Sequence, residues 1–191
     1  LNNDRARPAW PGDTPQGTAL AGNDGPIAET GLQRQIGTLL PELRAFARFL
    51  ARDRTVADDL VQDAVMRALA ALHQFQPGTS LKAWLFTILR NGFYEQQRRR
   101  RRESAAISAT FELNEVAHPA QDAHSAINDL QHLIWTLPPL LREALILVGA
   151  QELSHEEAAL VCNVPVGTMK ARLSRARVAL SAAMRSAEQS G

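Results

Sequence analysis

The 191-residue chain carries 45% hydrophobic and 21% charged residues, a balance that fits a globular protein and excludes a disordered one. Aromatics make up only 5%, so aliphatic and alanine side chains must fill the core, which favours packed helices over a sheet. The formal net charge of +1 points to no polyanion by itself, and no run approaches the ~18 apolar residues that cross a bilayer, so no membrane partner is expected. Cys162 is the single cysteine and excludes an intramolecular disulfide. With no secretory-signal pattern at 1–10, a reducing cytoplasm is the default compartment.

Residues 1–31 interleave Pro8, Pro11, Pro15 and Pro26 with five glycines and keep no apolar period, the composition of a flexible tail. A first module is expected over 32–102. Ile36, Leu39, Leu40, Leu43, Phe46, Ala47 and Leu50 recur at three- and four-residue steps, one buried helix face. Pro41 is expected to kink that helix or to open its second half. From Thr55, Leu60, Val61, Ala64, Val65, Ala68, Leu69 and Leu72 mark a second amphipathic helix whose other face shows Asp58, Asp59, Gln62, Asp63 and Arg67. Gln76-Pro77-Gly78-Thr79 breaks the chain, and Ser80 can cap a third helix through Trp84, Leu85, Ile88 and Leu89 to the arginines.

Residues 103–127 lose periodicity and contain His118-Pro119, and are read as a linker. At ~3.3–3.6 Å per residue it can reach about 80–90 Å, enough to seat two modules on separate stretches of one duplex, where a helical turn is about 34 Å. A second module is expected over 128–186. Leu130, Leu133, Ile134 and Leu137 mark a helix ended by Pro138-Pro139, and 140–148 forms another. Ser154-His155-Glu156-Glu157 fits a capping box. Asn163 suits a left-handed helix end and Pro165 the first turn of the next helix. That last helix turns Val166, Met169, Leu173, Ala176 and Leu180 inward. The fold class is therefore all-α, two small helical domains joined by a flexible linker.

Charge is distributed unevenly. Residues 81–102 hold seven basic residues against one acid, and 166–185 hold five and no acid, while 103–127 holds four acids and no Lys or Arg. Two cationic blocks flanking an acidic stretch suit a bipartite binder of polyanions. The second block has the plan of a helix-turn-helix: a short capped helix, a tight turn, and a basic helix whose first residues can enter the major groove. Thr168, Lys170, Ala171, Arg172, Ser174 and Arg175 stand at the right places, and an arginine fork can hold guanine O6 and N7 together. An ordinary hairpin with a solvated basic face is the bland alternative.

Arg98 to Arg102 repel one another and are expected to fray unless phosphate meets them. Phe93 and Tyr94, just upstream, could stack on unpaired bases, whereas Trp84 reads as core. The Asp58 to Asp63 face, anionic in a basic setting, would by itself pass as solvated surface. No catalytic site, metal site or cofactor is indicated: His73, His118, His124, His132 and His155 are scattered, and no phosphate-cradling glycine loop is present.

The residues nonetheless resemble a known family. Asp58-Asp59-Leu60-Val61-Gln62-Asp63 and the phrase from Phe75-Gln76-Pro77-Gly78 through Trp84 to Arg90-Asn91 are similar to conserved region 2 of the extracytoplasmic-function (ECF) sigma factors of RNA polymerase. Leu137-Pro138-Pro139 with Arg142-Glu143-Ala144-Leu145, residues 154–159 and residues 164–172 are similar to region 4. The stretches 74–91 and 144–150 most resemble the EcfG-like subgroup that runs the alphaproteobacterial general stress response.

The resemblance implies a transcription initiation factor without catalysis of its own. Asp59, Gln62 and Asp63 would dock on the β′ clamp helices of core RNA polymerase, reversing the bland reading of that face, and region 4 would touch the β flap. Asn91 would hold an extruded base of the −10 element, with Lys82, Arg90, Tyr94 and Arg98 nearby. Lys170, Ala171, Arg172, Ser174 and Arg175 would face the −35 element of promoter DNA, with Ala171 standing where a serine is common. A small helical, NepR-like anti-sigma protein would restrain it. Two other readings remain: a sigma-like decoy that sequesters an anti-sigma protein without touching DNA, and a helix-turn-helix repressor. The sequence leaves the relative arrangement of the two modules open.

Overall fold

A computed structural model describes residues 25–108 and 126–188 of the chain. Among the described residues the architecture is all-α, with no strand: α1 (Gly25–Ala51), α2 (Arg54–Ala70), a 3₁₀ turn at Leu72–Gln74, α3 (Leu81–Ser108), α4 (Ala126–Thr136), α5 (Pro139–Leu145) running into a π turn at Ile146–Ala150, α6 (His155–Cys162) and α7 (Val166–Glu188). None of these helices is long and apolar enough to cross a membrane.

The first three helices pack as a bundle. Leu43, Phe46 and Ala47 of α1, Leu60, Val61 and Ala64 of α2, and Leu85, Phe86 and Leu89 of α3 are buried, and the Phe46 and Phe86 rings stack with centroids 4.9 Å apart. Trp84 joins this core as expected. Local signals set the ends of the helices. Asp53, rather than the expected Thr55, begins α2, its carboxylate accepting from the Val56 N–H at 2.8 Å. The Gln76–Thr79 break is present, with Gly78 at φ +89°, a region other residues avoid. Ser80 accepts from the Ala83 N–H at 3.2 Å and so caps α3.

Three expectations need correction, and of the two given for Pro41 the opening of a second helical half is set aside. Helix α1 begins at Gly25, ahead of the expected start near Leu32, with Pro26 in the first turn, where its missing N–H has no helical partner to lose; the rest of the expected tail lies outside the described residues. Pro41 sits inside α1, which is continuous through it. The linker expected from Glu103 is helical to Ser108, and Arg98 to Arg102 lie within α3 rather than frayed. An Arg99–Glu103 pair at 3.3 Å supports that turn. Residues 109–125 lie outside the described residues.

In the second half, α5, α6 and the inner face of α7 enclose Ala144, Leu147, Ala158, Val161, Met169, Leu173 and Ala176. The capping box of α6 is complete: the Ser154 N–H donates to Glu157 Oε2 at 2.8 Å, and the Glu157 N–H donates to Ser154 Oγ at 3.1 Å. Asn163 ends α6 in the left-handed region, φ 52° and ψ 54°.

The two halves are not held apart. Helix α3 packs on α6, and one connected core runs through both halves, from Ile36 of α1 to Met169 of α7. Glu157 of α6 has its carboxyl held below its ordinary value, first by the hydroxyl of Ser80, the residue that caps α3, against the opposing effect of burial. A carboxyl lowered in the folded state contributes fully above its ordinary value near 4.5 and loses that contribution as pH falls through the lowered value. Urea unfolding is therefore expected to lose stability more steeply between about pH 5 and pH 3 in the wild type than in Glu157→Gln; parallel curves would remove Glu157 from the pH response.

Candidate nucleic-acid interface

Helices α6 and α7 meet across Asn163, Val164 and Pro165 in a tight turn, the Met169 N–H donating to the Pro165 carbonyl at 3.1 Å. Because Met169, Leu173 and Ala176 face the core, helical spacing turns the intervening positions outward. Lys170, Ala171, Ser174 and Arg175 are exposed, and Thr168 and Arg172 half-buried. Arg175 Nε donates to the Ala171 carbonyl at 3.2 Å, which lays its guanidinium along the helix. None of Lys170, Arg172, Arg175 and Arg177 pairs with an acid among the described residues. This is a cationic face on a helix, with no acid neutralising it among the described residues.

The expected contacts on α3 divide differently. Asn91 and Arg98 are exposed. Lys82 pairs with Glu42 of α1. Arg90 is turned into the protein: its Nε and Nη2 donate to the two carboxylate oxygens of Glu143, on α5, at 2.6 and 3.1 Å. Its guanidinium also lies 4.7 Å from the centroid of the Tyr94 ring. Burial lowers the affinity of Arg90 for its proton, but the hydrogen bonds and charge of Glu143 outweigh that and leave its pKa raised. Tyr94 is half-buried, its hydroxyl pKa pushed up by burial and then by Glu143. Phe93, an expected base-stacking partner, is instead only 8% exposed, edge-on to Tyr94. Apolar burial takes that ring out of reach of a base.

The acidic face of α2 is where periodicity placed it. Asp58, Asp59, Gln62 and Asp63 are all exposed. Asp59, Gln62 and Asp63 line one wall of a cleft whose other wall is Gln96, Arg99 and Arg100 of α3. Gln96 Nε2 donates to Asp63 Oδ2 at 3.5 Å, and Arg67 pairs with Glu95 at 2.8 Å.

Three residues at the junction of the halves carry no role in the sequence reading. Glu143 is only 3% exposed. Trp135 of α4 stacks on Phe49 of α1, centroids 6.1 Å apart, and lies against two guanidinium groups, Arg52 at 4.0 Å and Arg142 at 4.1 Å. Burial and then the Arg52 charge lower the pKa of Arg142. Cys162 is buried beside Glu143 and Arg90. Glu143 stands directly before the apolar run 144–148, and a carboxylate carried into the core with such a run demands a partner. No group of His, Cys, Asp and Glu among the described residues could hold a metal.

Two small helical units, one ending in a helix-turn-helix with an exposed cationic face, define a DNA-binding class of protein. Comparison with known proteins narrows it. Residues 36–103 match the Sigma-70 region 2 family and residues 127–180 the Sigma-70 region 4 family. The ECF RNA polymerase sigma factor EcfG of Rhodopseudomonas palustris (strain TIE-1) is 46% identical, over 79% of this chain and 83% of that protein. Among solved structures, the sigma factor RpoE of Bartonella quintana, in complex with the anti-sigma factor NepR, superposes with a TM-score of 0.69 at 42% identity, covering 82% of this chain and 98% of that one. CnrH in complex with the cytosolic domain of CnrY gives 0.57 at 28% identity, covering 84% and 94%. The chain belongs to the ECF sigma factors of RNA polymerase, the proteins that bring the polymerase to promoters.

Burial, and then the negative charge of Glu143, push the Cys162 thiol up to about 12, against the opposing charges of Arg90 and Arg172. Since the thiolate is the nucleophile, at pH ~7.5 only on the order of one molecule in 10⁴ to 10⁵ would be reactive. Iodoacetamide is expected to label the folded chain at least ~100-fold more slowly than the urea-unfolded chain; equal rates would place Cys162 outside the core.

Proposed function

We propose a division of labour among the residues of this sigma factor. In region 4, Thr168, Lys170, Ala171, Arg172, Ser174 and Arg175 of α7 face the −35 element. In region 2, Lys82, Arg90, Asn91, Tyr94 and Arg98 of α3 serve the −10 element, with Asn91 at an extruded base. Asp59, Gln62 and Asp63 of α2 dock on the β′ clamp helices of core RNA polymerase, and region 4 also meets the β flap. The chain acts in the cytoplasm by binding alone and leaves the chemistry of transcription to the polymerase.

The observation that carries this reading is the outer face of α7, whose cations have no acid partner among the described residues while its inner face is core. A row of uncompensated cations on a rigid helix is costly unless a polyanion is near. A decoy that never touches DNA has no need of such a face. The 42% identity to an RpoE solved with NepR supports restraint by a small helical, NepR-like anti-sigma protein, and the 46% identity to EcfG supports a place in a general stress response.

Run-off transcription with core polymerase tests the −35 assignment. The intact chain is expected to give a promoter-specific transcript. Arg172→Ala with Arg175→Ala should lower it at least ~10-fold with core binding unchanged, since a good base contact is worth ~1–3 kcal/mol. Full transcription by the double variant would withdraw α7 as the −35 reader.

The polymerase face has its own test. Asp59→Ala with Gln62→Ala is expected to weaken core polymerase binding, measured by titration against labelled protein, by about 5- to 30-fold, the range of one to two kcal/mol. An unchanged affinity would remove this face from the assignment.

A further inference from the structure

Arg90, assigned above to promoter DNA, is occupied within the chain by the other module. Its fork meets both oxygens of Glu143 at 2.6 and 3.1 Å. Arginine grips a phosphate in the same way, with two parallel N–H donors on two oxygens that share negative charge. Glu143 makes no other ion pair among the described residues, and it comes from α5 of region 4, whereas Arg90 comes from α3 of region 2. A second clasp lies nearby, where Trp135 of region 4 stacks on Phe49 and under Arg52 of region 2.

We infer that Glu143 is an intramolecular stand-in for a DNA phosphate at Arg90, so that closure of the two modules and binding of promoter DNA compete for one guanidinium. This inference rests on the assignment of Arg90 to the −10 surface. Geometry gives the competition its consequence. The −35 and −10 elements are separate stretches of one duplex, where a single helical turn already spans about 34 Å, whereas α3 and α6 are in contact here. Reading both elements at once requires the modules to part. Only the open fraction of the chain is then competent, and apparent affinity falls in proportion to that fraction. In the closed form Arg90 is held by Glu143 of the other module, and Lys82 is paired with Glu42 inside its own, while Lys170 and Arg175 of α7 face solvent.

Three full-length variants test this, with two readouts of closure and one of function. Closure is read as the labelling rate of Cys162, the chain's single cysteine, and as the radius of gyration from small-angle scattering. Function is read as transcript from a linear promoter template at limiting sigma factor. Glu143→Gln removes the charge and keeps the shape. It is expected to label at least ~10-fold faster, to expand, and to raise transcript several-fold. The exchange Arg90→Glu with Glu143→Arg re-forms the pair with reversed polarity. It should return labelling and size close to wild type yet lose transcript, because a carboxylate now faces the DNA. A merely structural pair would tolerate that exchange with transcription intact.

Unchanged size in Glu143→Gln would overturn the latch whatever the labelling rate, because losing the Glu143 charge by itself lowers the Cys162 thiol pKa and speeds labelling. Opening without a rise in transcript would overturn the competition. If Glu143→Gln fails to fold by circular dichroism, the exchange variant decides: a closed and inactive protein supports the inference, and a closed and active one overturns it. Arg90→Gln separates the two readings. Transcript at the wild-type level or above from an opened Arg90→Gln would withdraw the −10 assignment of Arg90 while leaving the closure measurements standing.

Discussion

A carboxylate cannot be left alone in a protein interior, and the arrangement of this chain turns on how that constraint is met at Glu143. Its burial would be prohibitive without a cation carrying matched donors. Arg90 supplies both, from a helix of the other module. Other contacts surround the pair: α6 lies on α3, Glu157 lies beside Ser80, and Trp135 lies against Phe49 and Arg52. Apolar packing alone allows sliding, whereas a bidentate ion pair has one register. The pair therefore sets where the modules stop relative to each other.

That register gives Arg90 its partner, while Lys82 finds its own inside the first module. These two cations, in the first half of α3, are neutralised by acids of α1 and α5. Further along α3, Arg98, Arg100 and Arg101 have no acid partner among the described residues, and neither do Lys170, Arg172 and Arg175 on α7. Formal net charge says nothing of this, since +1 averages over both kinds. Long-range attraction to DNA belongs to the unpaired set, whose field is not cancelled at close range. The paired set gives way only when an anion of matching geometry arrives at contact distance.

Much of the fold was legible because periodicity and capping are local. The buried faces around Phe46, Leu60 and Leu89, the Ser154–Glu157 box, the left-handed Asn163 and the Ser80 cap all depend on residues within a few positions of one another. The misreadings share a cause. An apolar period reports which face is buried, so it vanishes where a helix runs beyond the core, and α3 continues through the exposed residues 98–104 to end at Ser108, with local pairs such as Arg99–Glu103. Phe93 was misassigned for the complementary reason: an aromatic beside a basic run serves equally as core or as platform, and only packing decides. The helix-turn-helix face could be read residue by residue. The junction could not, because Glu143 lies 53 residues from its partner and nothing local names Arg90.

The choice of a charged residue at position 143 is itself informative. Replacing a buried ion pair by apolar residues of similar volume is often neutral or stabilising, so stability alone would favour a leucine there and a permanent junction. An apolar contact has no competitor in DNA, whose backbone offers phosphates and no matching greasy surface. A carboxylate on an arginine fork does have one, since phosphate oxygens present the same acceptors to the same donors. The exchange costs less than opening an apolar seam of equal area, because Arg90 leaves one anion only to meet another, and Glu143 passes from a buried site to water, where its charge is well solvated. An ion pair at this point makes the junction of the two modules specific in register and at the same time reversible by the ligand that the modules must part to bind.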